Sequence, residues 1–203
     1  MTYISDFLFW ISTGLLVPVI ILLLVLFGRA LLLLGTFFGQ YMNMRKLHGT
    51  VIAEMENLTV DNVSSLSTRL PVQTSSLLLS HIHRMLNAQG SHAQINRLLS
   101  QYEIAADKEM GISKTLSKLG PVLGLMGTLI PMGPALVGLS TGDIASMAYN
   151  MQVAFATTVV GLFSGAVGVV TLQVKKRWHM QELTQLEFLA ELLTSENPAH
   201  ETA

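Results

Sequence analysis

Cysteine is absent from the 203-residue sequence, and charged side chains make up only 12% of it, against about 25% in an ordinary soluble domain. The missing thiols exclude disulfides, thiolate metal sites and cysteine nucleophiles. A formal net charge of −1 provides no overall basic field, so no nucleic-acid partner is predicted. With 50% hydrophobic residues and a mean hydropathy of +0.50, the composition is typical of an integral membrane protein.

The hydrophobic residues are concentrated in two blocks, Phe7 to Phe38 and Leu119 to Val174. A helix needs about 20 apolar residues to cross a bilayer, so the first block supplies one span. The second block is long enough for two spans, which we place at about 116–138 and 144–174, on either side of a polar turn at Asp143. No Lys or Arg precedes the first block, which is also too long for a signal peptide, so we expect it to be retained as a span.

Between these blocks the chain is polar, with patches of apolar residues at spacings of three and four that indicate helices. No strand pattern and no internal repeat competes with that interpretation. We therefore predict an all-α chain in four parts. They are span one with its extension (1–40), a helical cytoplasmic region without a full core of its own (41–115), spans two and three (116–175), and a C-terminal helix and tail (176–203).

Basic residues indicate the orientation. Every Lys and Arg except Arg29 lies on one side, either between span one and the start of span two, where Lys118 is the last, or after span three. The positive-inside rule then places the N-terminus and the turn between spans two and three outside, and the C-terminus in the cytoplasm. A basic cluster with a neighbouring Trp follows span three, where it would meet anionic lipid headgroups. These predicted interface anchors are Lys175, Lys176, Arg177 and Trp178.

Small residues recur at helical spacing in spans two and three. Gly120 and Gly124 lie four apart in span two, and Gly161 and Gly165 lie four apart in span three. In lipid, small residues at this spacing let two helices approach closely. Close packing of a helical hairpin therefore accounts for these glycines.

Hydroxyl residues deep in the same spans allow two interpretations. Thr128, Thr157 and Thr158 could each bond to a backbone carbonyl of their own helix and serve only packing. Alternatively, threonines on Gly-lined faces could form a weakly polar ring that holds water or a protonatable partner. Thr157 also belongs to a row with Ser164 and Thr171, spaced seven residues apart.

Asp, Glu, Lys and His are nearly missing from residues 116–174, where only Lys118 and Asp143 occur, both near the ends of spans. A proton path through a bilayer normally needs an ionisable group within it. If this chain conducts protons, another chain must supply that group.

No enzyme motif stands out. His81 and His83 are two residues apart, which places them on different faces of a helix, whereas metal ligands on a helix are typically four apart. We find no nucleophile elbow, phosphate-binding loop or paired carboxylate motif. We therefore predict no enzymatic activity, no metal and no cofactor.

Two sequence motifs resemble those of a known family. Residues 120–128 read GPVLGLMGT, which is similar to the second-span signature of the MotA/TolQ/ExbB family, roughly G/A-P-L-L-G-L-L-G-T. Residues 154–162 read AFATTVVGL and resemble its third-span signature, A-L-x-A-T-A-x-G-L. The spacing between the motifs agrees, so the resemblance covers about 117–175. The inner loop has the TolQ/ExbB size, which favours a non-flagellar subtype.

The resemblance implies a homo-oligomeric ring, a pentamer, in a prokaryotic cytoplasmic (inner) membrane. Two copies of a single-span partner of the ExbD/TolR/MotB type, each with an Asp in the membrane, would thread the central pore. Flow of protons, or of sodium in some members, past that Asp would drive mechanical work, such as powering transport. By the same resemblance Thr128 and Thr158, with neighbouring Thr157, line the pore.

Two departures from the family pattern are present. Val153 stands where ExbB-type members carry a Glu five residues before the third-span threonine. Pro131 and Pro134 are expected to interrupt span two, where the family continues as helix. The alternative function is a non-conducting membrane scaffold that assembles partner proteins.

Overall fold

A computed structural model describes residues 2–56, 76–88 and 92–195. Within those ranges the backbone is helical and forms no strand, so the predicted all-α class is confirmed. Residues 57–75 of the predicted inner region and the tail beyond residue 195 lie outside the described residues. The helices are α1 (Thr2–Gly14), α2 (Leu16–Glu56), α3 (Leu77–Leu86), α4 (His92–Glu109), α5 (Gly111–Thr141) and α6 (Ile144–Ser195).

Three stretches of the described chain are long and apolar enough to cross a membrane: Phe7–Met42, His92–Thr141 and Ile144–Thr194. Each is longer than the roughly 20 residues that a bilayer requires. The three predicted spans are therefore confirmed, and each belongs to a helical stretch that continues beyond the length needed for crossing.

Helices α1 and α2 meet at Leu15, and Pro18 explains why. A proline ring crowds the carbonyl four residues earlier, here that of Gly14, and proline has no N–H to bond it. The Leu15 N–H still reaches the Ile11 carbonyl at 3.0 Å, and the Val19 N–H resumes the pattern by donating to Leu15 at 3.1 Å. The first span therefore has one break near its N-terminal end.

Helix α5 is unbroken although it contains Pro121, Pro131 and Pro134. The expectation that the last two interrupt the span is therefore wrong. In a membrane protein, neighbouring helices can support the backbone around a proline. Helix α1 is one such neighbour, because a Cβ added to Gly133 would lie 3.2 Å from the ring of Phe9.

The turn between α5 and α6 ends one helix and begins the next within two residues. Gly142 has a φ of +77°, a conformation that suits glycine. Its N–H donates to the Leu139 carbonyl at 3.3 Å, and the Asp143 N–H donates to Gly138 at 2.8 Å, which is the Schellman pattern. The Asp143 carboxylate then caps α6 by accepting from the Ser146 N–H at 3.0 Å.

The described chain divides into two compact units, of which the first comprises residues 1–37 and 112–173. In this unit α2 buries one face, and the rest of that helix presents Leu, Ile and Val side chains outward, as lipid requires. Leu116 of α5 and Val167 of α6 pack against that face. The buried positions of α2 recur every three or four residues: Val19, Leu23, Leu26, Ala30 and Leu33.

Helices α5 and α6 touch through their backbones within this unit. A Cβ on Gly161 would lie 2.6 Å from the Gly124 Cα and 2.7 Å from the Gly120 carbonyl oxygen. A Cβ on Gly165 would lie 2.7 Å from the ring of Pro121. The four glycines with predicted packing roles therefore meet across the hairpin, where no larger residue fits.

The second compact unit comprises residues 38–111 and 174–203. Its core contains twelve buried residues, eight from α3 and α4 and four from α6, so the helices of the inner region share their core with the C-terminal helix. Helix α6 extends well past the predicted span and adds a third apolar face to those of α3 and α4. The core residues are Leu78, Leu79, Ile82, Met85, Ile95, Leu98, Tyr102, Ala106, Leu186, Leu189, Ala190 and Leu193.

We predict that Gly161→Ala destabilises the protein by about 1–3 kcal/mol, because the added methyl group would meet backbone atoms of α5 that cannot move aside. Gly28→Ala is the matched control, since a Cβ at Gly28 has nothing within 4 Å. That control should keep or gain stability, by roughly 0.5–1 kcal/mol, from the better helix propensity of alanine. Unfolding titrations in mixed micelles measure both variants, and equal stabilities would contradict the close backbone contact.

Candidate channel face

The part of α6 that forms the predicted span presents two different faces. One face is buried against its own chain and carries small and hydroxyl side chains, because the close contact with α5 leaves no space for larger ones. The other face is exposed and bulky, with Phe155 63%, Val159 68% and Leu162 55% accessible. The buried face consists of Ala154, Thr157, Gly161, Ser164, Gly165, Val167, Gly168 and Thr171.

Thr157 lies on the buried face and is only 7% exposed. Its hydroxyl donates to the carbonyl of Ala154 at 2.9 Å. Its side chain packs so tightly on α5 that a Cβ added to Gly127 would lie 2.6 Å from it. Of the three threonines predicted to line the pore, Thr157 is therefore the one enclosed by the hairpin.

Thr128 and Thr158 are half-buried and lie at the margins of the hairpin contact. The Thr128 hydroxyl donates to the Leu125 carbonyl at 2.7 Å, and the Thr158 hydroxyl donates to Ala154 at 2.8 Å. Each hydroxyl oxygen keeps lone pairs that can accept a hydrogen bond from a visiting group. These two side chains therefore offer neutral acceptors that are accessible from outside the single chain.

The row of hydroxyls spaced by seven residues, Thr157, Ser164 and Thr171, is buried along its whole length. Ser164 donates to its own helix, at Val160, over 2.8 Å. The Thr171 hydroxyl is also hydrogen-bonded to that of Ser113 on α5 at 3.1 Å. Of this row, Thr171 therefore joins α6 to α5, and Ser113 is a participant that the sequence pattern did not reveal.

Electrostatically, the spanning parts of α5 and α6 are neutral. Within residues 116–174 the Asp, Glu, Lys, Arg and His side chains are those of Lys118 and Asp143, and both are exposed. Val153, at the position of the family Glu, is half-buried and cannot carry a proton. Among the described residues there is also no group of three or more His, Asp or Glu side chains that could hold a metal ion.

The predicted anchors occupy different environments where α6 continues into the second unit. Lys176 and Arg177 are exposed, whereas Lys175 is only 8% accessible. The half-buried Trp178 ring lies 5.8 Å from the ring of Tyr41, centroid to centroid. Trp and Tyr are the residue types enriched at membrane–water interfaces.

Comparison with known proteins identifies the family of this chain. A family model described as the MotA/TolQ/ExbB proton channel family matches residues 72–187, more than half of the chain. Both sequence motifs, at 120–128 and 154–162, lie inside the match. No curated protein matches the chain. The helical structure, the three apolar helices and the family match lead to one conclusion: the chain belongs to the MotA/TolQ/ExbB proton channel family.

Proposed function

We propose that this protein is the ring-forming subunit of a proton-driven motor, in which ion flow performs work on a single-span partner. The proposal rests on one observation, namely which polar groups are present and which are missing in the spans of this channel-family member. Accessible hydroxyls are present at Thr128 and Thr158, whereas ionisable groups that could carry a proton across are missing. A partner with a membrane carboxylate would complete such a path.

In this proposal, the two threonines contact the partner's carboxylic acid. Each threonine hydroxyl donates to its own helix, so its oxygen is oriented to accept a proton-bearing group. A neutral acceptor stabilises a protonated carboxyl without the strong attraction that a fixed negative charge would exert. The bound group could therefore be released again, as a repeating motor cycle requires.

The proposed assembly is a pentamer with the N-terminus outside the cytoplasmic membrane of a prokaryote and the C-terminus in the cytoplasm. The distribution of Lys and Arg supports this orientation. The short inner loop supports a non-flagellar member that powers transport. The exposed apolar face of α6, around Phe155 and Val159, would be available for lipid or for neighbouring copies.

A non-conducting scaffold is the second candidate. It is favoured by one observation, that each of the three threonines is already bonded to its own helix and needs no further partner. Conduction measurements separate the two candidates directly.

We predict that Thr158→Val and Thr128→Val each reduce proton flux at least about tenfold, because valine has the same shape but no acceptor, and one lost hydrogen bond of about 1.4 kcal/mol is a factor of ten. Flux is measured with a pH-sensitive dye in liposomes that contain the chain with its single-span partner. Thr36→Val is the matched control, because this hydroxyl also bonds only to its own helix but belongs to α2. Normal flux in both pore variants would exclude these threonines as pore residues.

The proposed ring also predicts the mass of the purified complex. Native mass spectrometry should find five copies of this 22.1 kDa chain together with two copies of the partner. The Thr128→Val and Thr158→Val variants should give the same number of copies in the complex, because neither side chain holds the hairpin together. A monomeric chain would contradict the proposed ring.

A further inference from the structure

A cavity of about 380 Å³ lies between α3 and α4 in the second compact unit, and the motor mechanism does not use it. Small-molecule sites typically have volumes of about 300–1,000 Å³, so the cavity is large enough for a small ligand. The described residues that line it belong to the end of α3, to the residues that follow it and to α4. Its polar lining consists of two arginines and three amide side chains: Arg84, Asn87, Gln94, Arg97 and Gln101.

The packing of the second unit explains why both arginines reach this cavity. Met85 of α3 and Leu98 of α4 are buried in the core, at 0% and 8% exposure. Arg84 and Arg97 directly precede these two residues and are exposed. Because consecutive residues of a helix are about 100° apart, each arginine lies at the margin of the buried stripe of its helix. The two stripes pack together, so the arginines line the same cavity.

One of the two guanidinium groups is held in place by the protein. The Arg84 Nη2 atom donates to the Gln101 Oε1 atom on α4 at 2.8 Å. A guanidinium group has five N–H donors, of which this bond uses one. A donor group that is oriented before a ligand arrives loses less conformational entropy when the ligand binds. Gln101 is therefore a positioning residue for Arg84.

The charges of the lining indicate the chemical class of the ligand. The charged side chains in it are both cations, and a cleft lined by charges of one sign concentrates ions of the opposite sign. The planar N–H groups of arginine match the oxygens of carboxylates and phosphates in bidentate geometry. A phosphate monoester has three acceptor oxygens and about −1.5 to −2 charges at pH 7, whereas a carboxylate has two oxygens and a single charge. Two arginines and three amides therefore match a phosphate best.

We propose that this cavity binds the phosphate group of an organic phosphate ester. Arg84 and Arg97 contact the phosphate oxygens, and the apolar side chain of Leu98 contacts the organic part. The same phosphate chemistry is present in a soluble ester and in a lipid headgroup with a terminal phosphate. The site goes beyond the proposed motor, because its residues belong to the second unit and not to the spans.

Isothermal titration calorimetry of the full chain in phosphatidylcholine nanodiscs tests the site, with phenyl phosphate as the probe. We expect one binding site per chain. The affinity should be at least about tenfold higher than for benzoate, which has the same ring but only a singly charged carboxylate, because charge-assisted hydrogen bonds are lost. No binding of phenyl phosphate, or equal affinity for both compounds, would overturn the proposal.

Arg84→Gln and Arg97→Gln should each weaken the binding of phenyl phosphate at least about tenfold, because glutamine has neither the charge nor the bidentate donors of arginine. Lys108→Gln is the matched control, since it removes a positive charge from an exposed position of α4 that does not line the cavity. It should leave the affinity unchanged. Both arginines are exposed, so the variants should fold, which circular dichroism checks. Unchanged affinity in either arginine variant would contradict the assignment.

Hydrogen–deuterium exchange locates the site independently of these variants. Saturating phenyl phosphate should slow exchange in peptides from α3 and α4, because a ligand stabilises the helices that hold it, and it should leave α5 unaffected. Slower exchange in α5 alone would overturn the location.

The source of the phosphate is identified by changing the lipid. Nanodiscs that contain phosphatidic acid are compared with nanodiscs of equal negative charge that contain phosphatidylglycerol, which has no terminal phosphate. An affinity for phenyl phosphate that is at least about tenfold lower with phosphatidic acid supports the site as a lipid headgroup site, and equal affinities support it as a site for a soluble ester. None of these measurements involves proton flux, so failure of the motor proposal would leave their outcome unaffected.

Discussion

The close backbone contact between α5 and α6 is the constraint on which the rest of the membrane unit depends. Gly120 and Gly124 meet Gly161 at distances that admit no Cβ. In lipid there is little hydrophobic gain from bringing helices together, so association relies on such packing and on hydrogen bonds between helices. The contact occupies one face of each helix, so the side chains on the opposite faces point away from the hairpin interface.

The different environments of the neighbouring threonines follow from this contact. Because consecutive residues of a helix are about 100° apart, Thr157 and Thr158 cannot both lie in the same interface. Thr157 faces Gly127 and is buried, while Thr158 lies at the margin and remains accessible. The pair of adjacent threonines thus combines a packing residue with a residue that a partner could reach.

Features encoded locally were predictable from the sequence. The apolar blocks predicted three spans, and Gly142 with Asp143 marked the turn that the structure forms. Features that depend on contacts between distant segments were not predictable in the same way. The core of the second unit needs Leu186 and Leu189, which follow α3 by about 100 residues in the chain. Likewise, Pro131 suggested a broken helix, because its sequence context does not show which neighbours support it.

One physical reason, the cost of burying a charge without a partner, explains where ionisable groups occur in each of the two units. In the spans, a buried charge would need a partner within the same chain, and the Gly-lined contact has no space for a long polar side chain. In the second unit, α4 and α6 bring Tyr102 and His179 to Glu182, so a carboxyl group can be buried there with its hydrogen bonds satisfied. The chain therefore places its buried carboxyl group where its own side chains can solvate it, and at Thr128 and Thr158 in the spans it offers hydroxyls. On the proposed function, this is why proton transfer across the membrane requires a carboxylate from a second chain.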